Sequence, residues 1–282
     1  DFWEPLSANL SATPNQSLKL AVWMFDSLGC GRTPVPPRNA TSAADFADME
    51  IEKDIHALIT GKVDTTKPVI FMGHSYAPQN ILKVVRDFPV IRKVTAGFIL
   101  CNTGFMGDHS DLVNGGPSIF KLPIWLLNCM QPILTKSFLE MGFSPAAKPE
   151  VLEAARIDSN KNDMLMCRYY YGAHIWLTED EAKAIVTNLA AAGSGAQNED
   201  DAANEESSSP PPATPTPSLV LHGVDDQLVP IRCGELVVKA LDCAQPLVAV
   251  DDAGHEIFEE QPAFVAESVA KFLLDNFGSS TK

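Results

Sequence analysis

The chain has 282 residues, 45% of them hydrophobic, and carries a formal charge of −15 from 36 acidic against 21 basic side chains. So much apolar material can bury a sizeable core, and one globular domain with an embellishment is the simplest expectation. The negative balance disfavours phosphate backbones and anionic lipid surfaces as partners, so no nucleic acid is expected.

In chain order, apolar runs too short for typical helices and without clean alternation fall at 18–25, 69–72, 94–101, 218–221 and 246–250. Such runs suit strands covered on both faces of a parallel sheet. Helical periodicity lies between them, at 43–59, 78–88, 233–241 and 262–277. The alternation predicts an α/β fold. Two segments interrupt it. Residues 105–192 hold no convincing strand but contain helical stretches at 148–157 and 179–189. Residues 193–217 hold acids and prolines with no aliphatic side chain larger than alanine, a composition expected of a disordered linker. No run reaches the roughly 18 uninterrupted apolar residues of a membrane span. The six cysteines, at 30, 101, 129, 167, 233 and 243, lack metal-ligand or CxxC spacing and are expected to be free thiols, mostly buried.

Three loops carry chemistry. In VIFMGHSYAPQ (69–79), Ser75 stands between Gly73 and Ala77, with a strand before it and Pro78 ready to open a helix. Small flanking residues let a backbone turn sharply enough to project a serine hydroxyl, though Gly-x-Ser-x-small also arises by chance. In LVLHGVDDQLVP, Asp226 follows a predicted strand as a candidate orienting acid, with its neighbour Asp225 as the competing carboxylate. In VAVDDAGHEIFEEQP, His255 follows the last predicted strand, at the end where open α/β sheets gather ligands. His56, His109, His174 and His222 lack that setting, and His74 is the variable position of the serine turn.

The order Ser75, Asp226, His255, together with Gly73-His74-Ser75-Tyr76, GHEIFEEQP and the loop Asp26-Ser27-Leu28-Gly29-Cys30-Gly31, resembles the α/β-hydrolase superfamily. The resemblance covers nearly the whole chain outside the acidic linker. It implies a mostly parallel, doubly wound sheet flanked by helices, with a helical lid. Residues 1–104 and 218–282 would form the core, 105–192 the lid and 193–217 the linker. It also implies Ser75 as nucleophile, His255 as base, Asp226 as its orienting acid and the Tyr76 N–H as one oxyanion donor, with no cofactor. The sequence departs from the family at two points. Ala77 replaces the usual glycine, a change the turn should tolerate. Nothing before Trp3 resembles the family's His-Gly loop, which supplies the second oxyanion donor. The first strands are likewise not found, so the chain is expected to be a fragment.

A serine at position 75 excludes the carboxylate-nucleophile branches of the superfamily and leaves esters, thioesters and amides. Apolar lid residues either pack the lid on the core or line an acyl pocket. The pocket candidates are His74, Phe105, Trp125, Met130 and Tyr170. The expected partner is a small apolar acyl substrate, with peripheral membrane contact through the lid. The rival expectation is a hydrolase-like interaction module without turnover.

Overall fold

The computed structural model describes residues 3–12, 16–109, 117–194 and 215–280. Its helices are α1 (Trp3–Ala12), α2 (Asp48–Lys62), α3 (Ala77–Asp87), α4 (Pro89–Val94), α5 (Met106–His109), α6 (Ile124–Gly142), α7 (Pro149–Ser159), α8 (Met164–Ala173), α9 (Glu179–Ser194), α10 (Ile231–Ala240), α11 (Ile257–Glu260) and α12 (Pro262–Phe277). Its strands are β1 (Gln16–Ser17), β2 (Val69–His74), β3 (Thr95–Cys101), β4 (Ser218–Gly223), β5 (Val248–Val250) and β6 (Ser279–Ser280). Strands β2 to β5 pair in parallel in sequence order, while β1 and β6 form a separate antiparallel pair.

The sheet is covered on both faces, which explains why its strands read as continuous apolar runs. In β3, Phe98 and Leu100 join a cluster with Leu82 and Val85 of α3, while Ile99 and Cys101 join one with Val265 and Val269 of α12. Side chains two apart along a strand share a face, so neighbouring residues feed opposite cores. All eight of these side chains are 2% exposed or less. Full burial of such an aliphatic or aromatic group contributes roughly 1.5–3 kcal/mol.

Residues 18–25 do not form the expected strand. They are irregular, with Val22 50%, Trp23 48% and Met24 68% exposed. A strand exists through its ladder hydrogen bonds, and among the described residues this run pairs with no neighbour. The cysteines also depart from expectation. All six are free thiols, but only Cys101 and Cys233 are buried, and Cys30 and Cys129 are exposed. Cys30 lies in the loop after Phe25 and Cys129 in α6.

Between β3 and β4 the described chain is helical, from α5 to α9. Most of the predicted acidic linker, residues 195–214, lies outside the described residues. Among the described residues, no helix is long and apolar enough to cross a membrane.

Candidate active site

Strand β2 ends at His74 and α3 begins at Ala77, so the chain reverses within two residues. Ser75 takes φ 60°, in the left-handed region that costs a non-glycine residue roughly 1–2 kcal/mol. Its backbone N–H donates to the Cys101 carbonyl at 3.0 Å, tying the turn to the end of β3. Gly73 explains the tightness. A Cβ there would lie 2.7 Å from Ile81 Cδ1 and 3.0 Å from the Pro78 nitrogen. Pro78 is harmless in the first turn of α3, where its missing N–H would have had no partner. The Tyr76 N–H makes no backbone hydrogen bond among the described residues and stays available as a donor.

The loops after β4 and β5 meet beyond the carboxyl ends of their strands. Their approach requires glycine, since a Cβ on Gly223 would lie 1.9 Å from the Gly254 carbonyl oxygen. Asp226 Oδ1 accepts from the backbone N–H groups of Leu228 (2.9 Å) and Val229 (2.8 Å). Its Oδ2 is 2.7 Å from His255 Nδ1 and 2.9 Å from the donating Asn102 Nδ2. Asp226 and His255 are 4% and 5% exposed. Burial pushes the Asp226 carboxyl up, but hydrogen bonds from His222 and His255, the His255 charge and the Asn102 bond outweigh it. The net result is a carboxyl far below the ordinary range. A carboxylate only accepts, so His255 Nδ1 carries the hydrogen and Nε2 is the basic nitrogen. Burial pushes the His255 imidazole down, but the Asp226 bond and charge, with Glu256 and Glu260 nearby, lift it above its usual value. Among the described residues the Ser75 hydroxyl makes no hydrogen bond to His255, a contact that in unliganded sites often closes only with substrate.

Asp225 faces elsewhere. Its Oδ2 accepts from the Ser144 hydroxyl at 2.6 Å, two residues past the end of α6. The same region holds the histidine loop. His255 N–H donates to the Gly142 carbonyl at 2.6 Å, and Glu260 accepts from both Ser144 N–H (2.7 Å) and Gly254 N–H (2.8 Å).

The pocket candidates scatter. His74 lies against His255, ring centroids 4.7 Å apart, with Nε2 2.7 Å from the His255 carbonyl oxygen. Burial and the His255 charge push His74 down, so it stays neutral and donates that bond. Tyr170 lines a recess together with Tyr76. Phe105 is buried in the core beneath β3, Met130 is half-buried in α6, and Trp125 is 65% exposed on the outer side of that helix. Sequence reasoning missed Asn102, which is buried, takes φ 46° and bonds both Asp226 and the Gly254 carbonyl at 3.0 Å. Its only signal was its place just after β3. His222 was also passed over. It is fully buried, donates through Nε2 to the Val229 carbonyl at 2.7 Å, and backs Asp226 at 3.5 Å.

A turn serine and a buried Asp-His pair at the carboxyl edge of a parallel sheet define the α/β-hydrolase class, and comparison with known proteins agrees. The chain matches the alpha/beta hydrolase family over residues 1–268 and belongs to it. It is similar to Protein ABHD8 of Homo sapiens, 23% identical over 233 residues that cover 82% of this chain and 45% of that protein. Protein ABHD8 of Mus musculus matches the same share at 22% identity. The chain thus spans a little under half the length of the curated relatives it matches. Among solved structures it is similar to olei00960, a hydrolase from Oleispira antarctica, with TM-score 0.64 and 13% identity over 98% of this chain and 86% of that one. It is also similar to a thermophilic esterase from Thermogutta terrifontis, with TM-score 0.58 and 18% identity over 80% of this chain and 72% of that one. At such identities these two structures bear on the fold alone.

Proposed function

We propose that this α/β hydrolase is a serine hydrolase that cleaves an ester or thioester of an apolar acyl substrate through an acyl-enzyme. The observation that carries the reading is the 2.7 Å contact between Asp226 Oδ2 and His255 Nδ1, at the sheet edge where the strained Ser75 also stands. In the proposed cycle Ser75 Oγ attacks the carbonyl carbon while its proton passes to His255 Nε2. The Tyr76 N–H stabilises the oxyanion, and the imidazolium, held by Asp226, returns the proton to the leaving group. Water then repeats the sequence on the acyl-enzyme and frees the acid. The exposed Trp125 and Ile133 on the lid helix support contact with an apolar phase during substrate capture.

The unmade Ser75 to His255 hydrogen bond favours a second reading, a hydrolase-like interaction module without turnover. Labelling with a fluorophosphonate separates the two. Wild type is expected to label and Ser75→Ala to stay unlabelled, while absence of Ser75-dependent labelling would leave the interaction module.

A further inference from the structure

The Gly254-His255 dipeptide is held at every polar atom of its backbone. Gly254 N–H donates to Glu260 Oε2 at 2.8 Å, and the Gly254 carbonyl accepts from Asn102 Nδ2 at 3.0 Å. His255 N–H donates to the Gly142 carbonyl at 2.6 Å, and the His255 carbonyl oxygen lies 2.7 Å from His74 Nε2. Buried backbone groups are normally paired, but here the four partners come from four separate parts of the fold. Glu260 belongs to α11, Asn102 follows β3, Gly142 ends α6 and His74 ends β2.

Of these four, only His74 sits on the strand that delivers Ser75. Ser75 is the next residue, and its φ of 60° starts the reversal into α3. One side-chain hydrogen bond therefore joins the residue before the proposed nucleophile to the backbone of the proposed base. The His74 ring is itself held between two others. Its centroid is 4.7 Å from that of His255, with the planes tilted by 50°, and 5.8 Å from that of Phe258, which it meets edge to face at 85°.

The chemistry of the bond follows from its partners. A carbonyl oxygen only accepts, so His74 Nε2 carries the hydrogen. Burial and the His255 charge push the His74 imidazole down, against upward pulls from Glu256, the bond to the His255 carbonyl and Asp226. His74 is thus a neutral donor and sets no second charge beside an imidazolium on His255.

We propose that His74 is a positioning residue for the base, and that its hydrogen bond to the His255 carbonyl fixes where the imidazole stands relative to the Ser75 hydroxyl. The proposal rests on the reading of Ser75 and His255 as nucleophile and base. The role is more than filling space, because a phenyl ring would occupy the same volume and donate nothing. It also restricts which side chains can stand at position 74. Glutamine carries its Nε2 the same number of bonds from Cβ as histidine does, whereas the asparagine amide stops one bond short. Reacting groups must be aligned within roughly 3–3.5 Å, so a base loop released from the serine turn forfeits rate rather than affinity.

The test compares His74→Phe and His74→Gln with wild type on one short ester. Loss of the donor in His74→Phe is expected to lower kcat at least about 10-fold while KM changes less than about 3-fold, the pattern of a misplaced catalytic group. His74→Gln is expected to bring kcat back to within about 3-fold of wild type. A merely structural role would move the denaturation midpoint without this split between kcat and KM or its rescue by glutamine. Near-normal kcat in His74→Phe, or equal losses in the two variants, overturns the proposal and leaves Ser75 and His255 in their roles. If His74→Phe does not fold, His74→Asn takes its place with the same expectation.

A second readout needs no turnover. In Ser75→Ala protein the His255 Nδ1 hydrogen, which faces Asp226 Oδ2 at 2.7 Å, can be followed by proton NMR as it exchanges with water. Adding His74→Phe should speed that exchange at least about 10-fold, and His74→Gln should restore it. Equal exchange in all three proteins overturns the proposal. The outcome is independent of whether any ester is cleaved, so failure of the hydrolase reading and failure of this one are told apart.

Discussion

Asn102 and Asp226 lie 124 positions apart in the chain and are joined by a 2.9 Å hydrogen bond from Asn102 Nδ2 to the carboxylate oxygen that also meets His255. The same amide nitrogen reaches the Gly254 carbonyl. One asparagine therefore links the ends of β3 and β4 with the histidine loop. Its φ of 46° is a conformation that Asn tolerates and Ala does not. Asn102→Gly removes the amide without the strain and Asn102→Ala adds the strain. Both are expected to lower kcat about 10-fold by loosening the dyad. In chemical denaturation Asn102→Ala should lose roughly 1–2 kcal/mol more than Asn102→Gly, the left-handed cost of a Cβ. Equal stability of the two would mean that the backbone there relaxes freely.

The two adjacent aspartates should separate cleanly in kinetics. Asp226→Asn keeps the shape but presents His255 with the wrong hydrogen-bonding face, and is expected to lower kcat by about 10⁴. Asp225→Asn can still accept from the Ser144 hydroxyl and should cost less than about 10-fold, since its bond lies outside the dyad. Steady-state turnover of one short ester by the two variants decides, and the reverse ranking would transfer the orienting role to Asp225.

The proton balance of His255 gives a pH dependence. Its imidazole is lifted above the usual 6.5, so the neutral base is lost at a higher pH than for a free histidine. The acid limb of kcat/KM should have its midpoint above 6.5, with activity falling as pH drops through it. Because Asp226 is the main source of the lift, the residual activity of Asp226→Asn should show that midpoint shifted to lower pH. A limb that stays in place would show that another group governs it.

Glu52 offers a stability test away from the site. It is 2% exposed, and burial together with the neighbouring Asp87 charge pushes its carboxyl up from 4.5 to about 7. A carboxyl raised on folding contributes stability below its unfolded value, and that contribution is lost as pH rises toward the folded value. Between pH 4.5 and 7 the wild type should therefore lose on the order of 2 kcal/mol relative to Glu52→Gln, which has no proton to release. Urea titrations of both proteins at pH 5 and pH 8 measure the difference, and parallel pH profiles would exclude Glu52 as its source.

Much of this arrangement was legible in sequence because sheet burial leaves a direct trace. The run at 69–72 became β2 and the periodicity at 262–277 became α12 with the same ends, since each buries enough apolar surface to fix its own state. Residues 18–25 had the composition of a strand, but composition cannot supply the neighbouring ladder that makes one. The loops of Ser75, Asp226 and His255 could be read because glycines and strand ends mark them. Asn102 could not. It acts through one amide nitrogen whose partners lie more than 100 residues away, and leaves no local pattern.

The hydrogen bond from His255 N–H to the Gly142 carbonyl constrains how the molecule can move. The last turn of α6 and the two residues after it are fastened to both acidic loops, so an opening motion that displaced them would also displace the base. The other half of the helix is held as well, since Leu127 is buried, Gln131 Nε2 donates to the Asn160 and Asn162 carbonyls, and Arg168 donates to the Leu122 carbonyl just ahead of α6. A displacement of α6 as a whole would therefore carry the base with it.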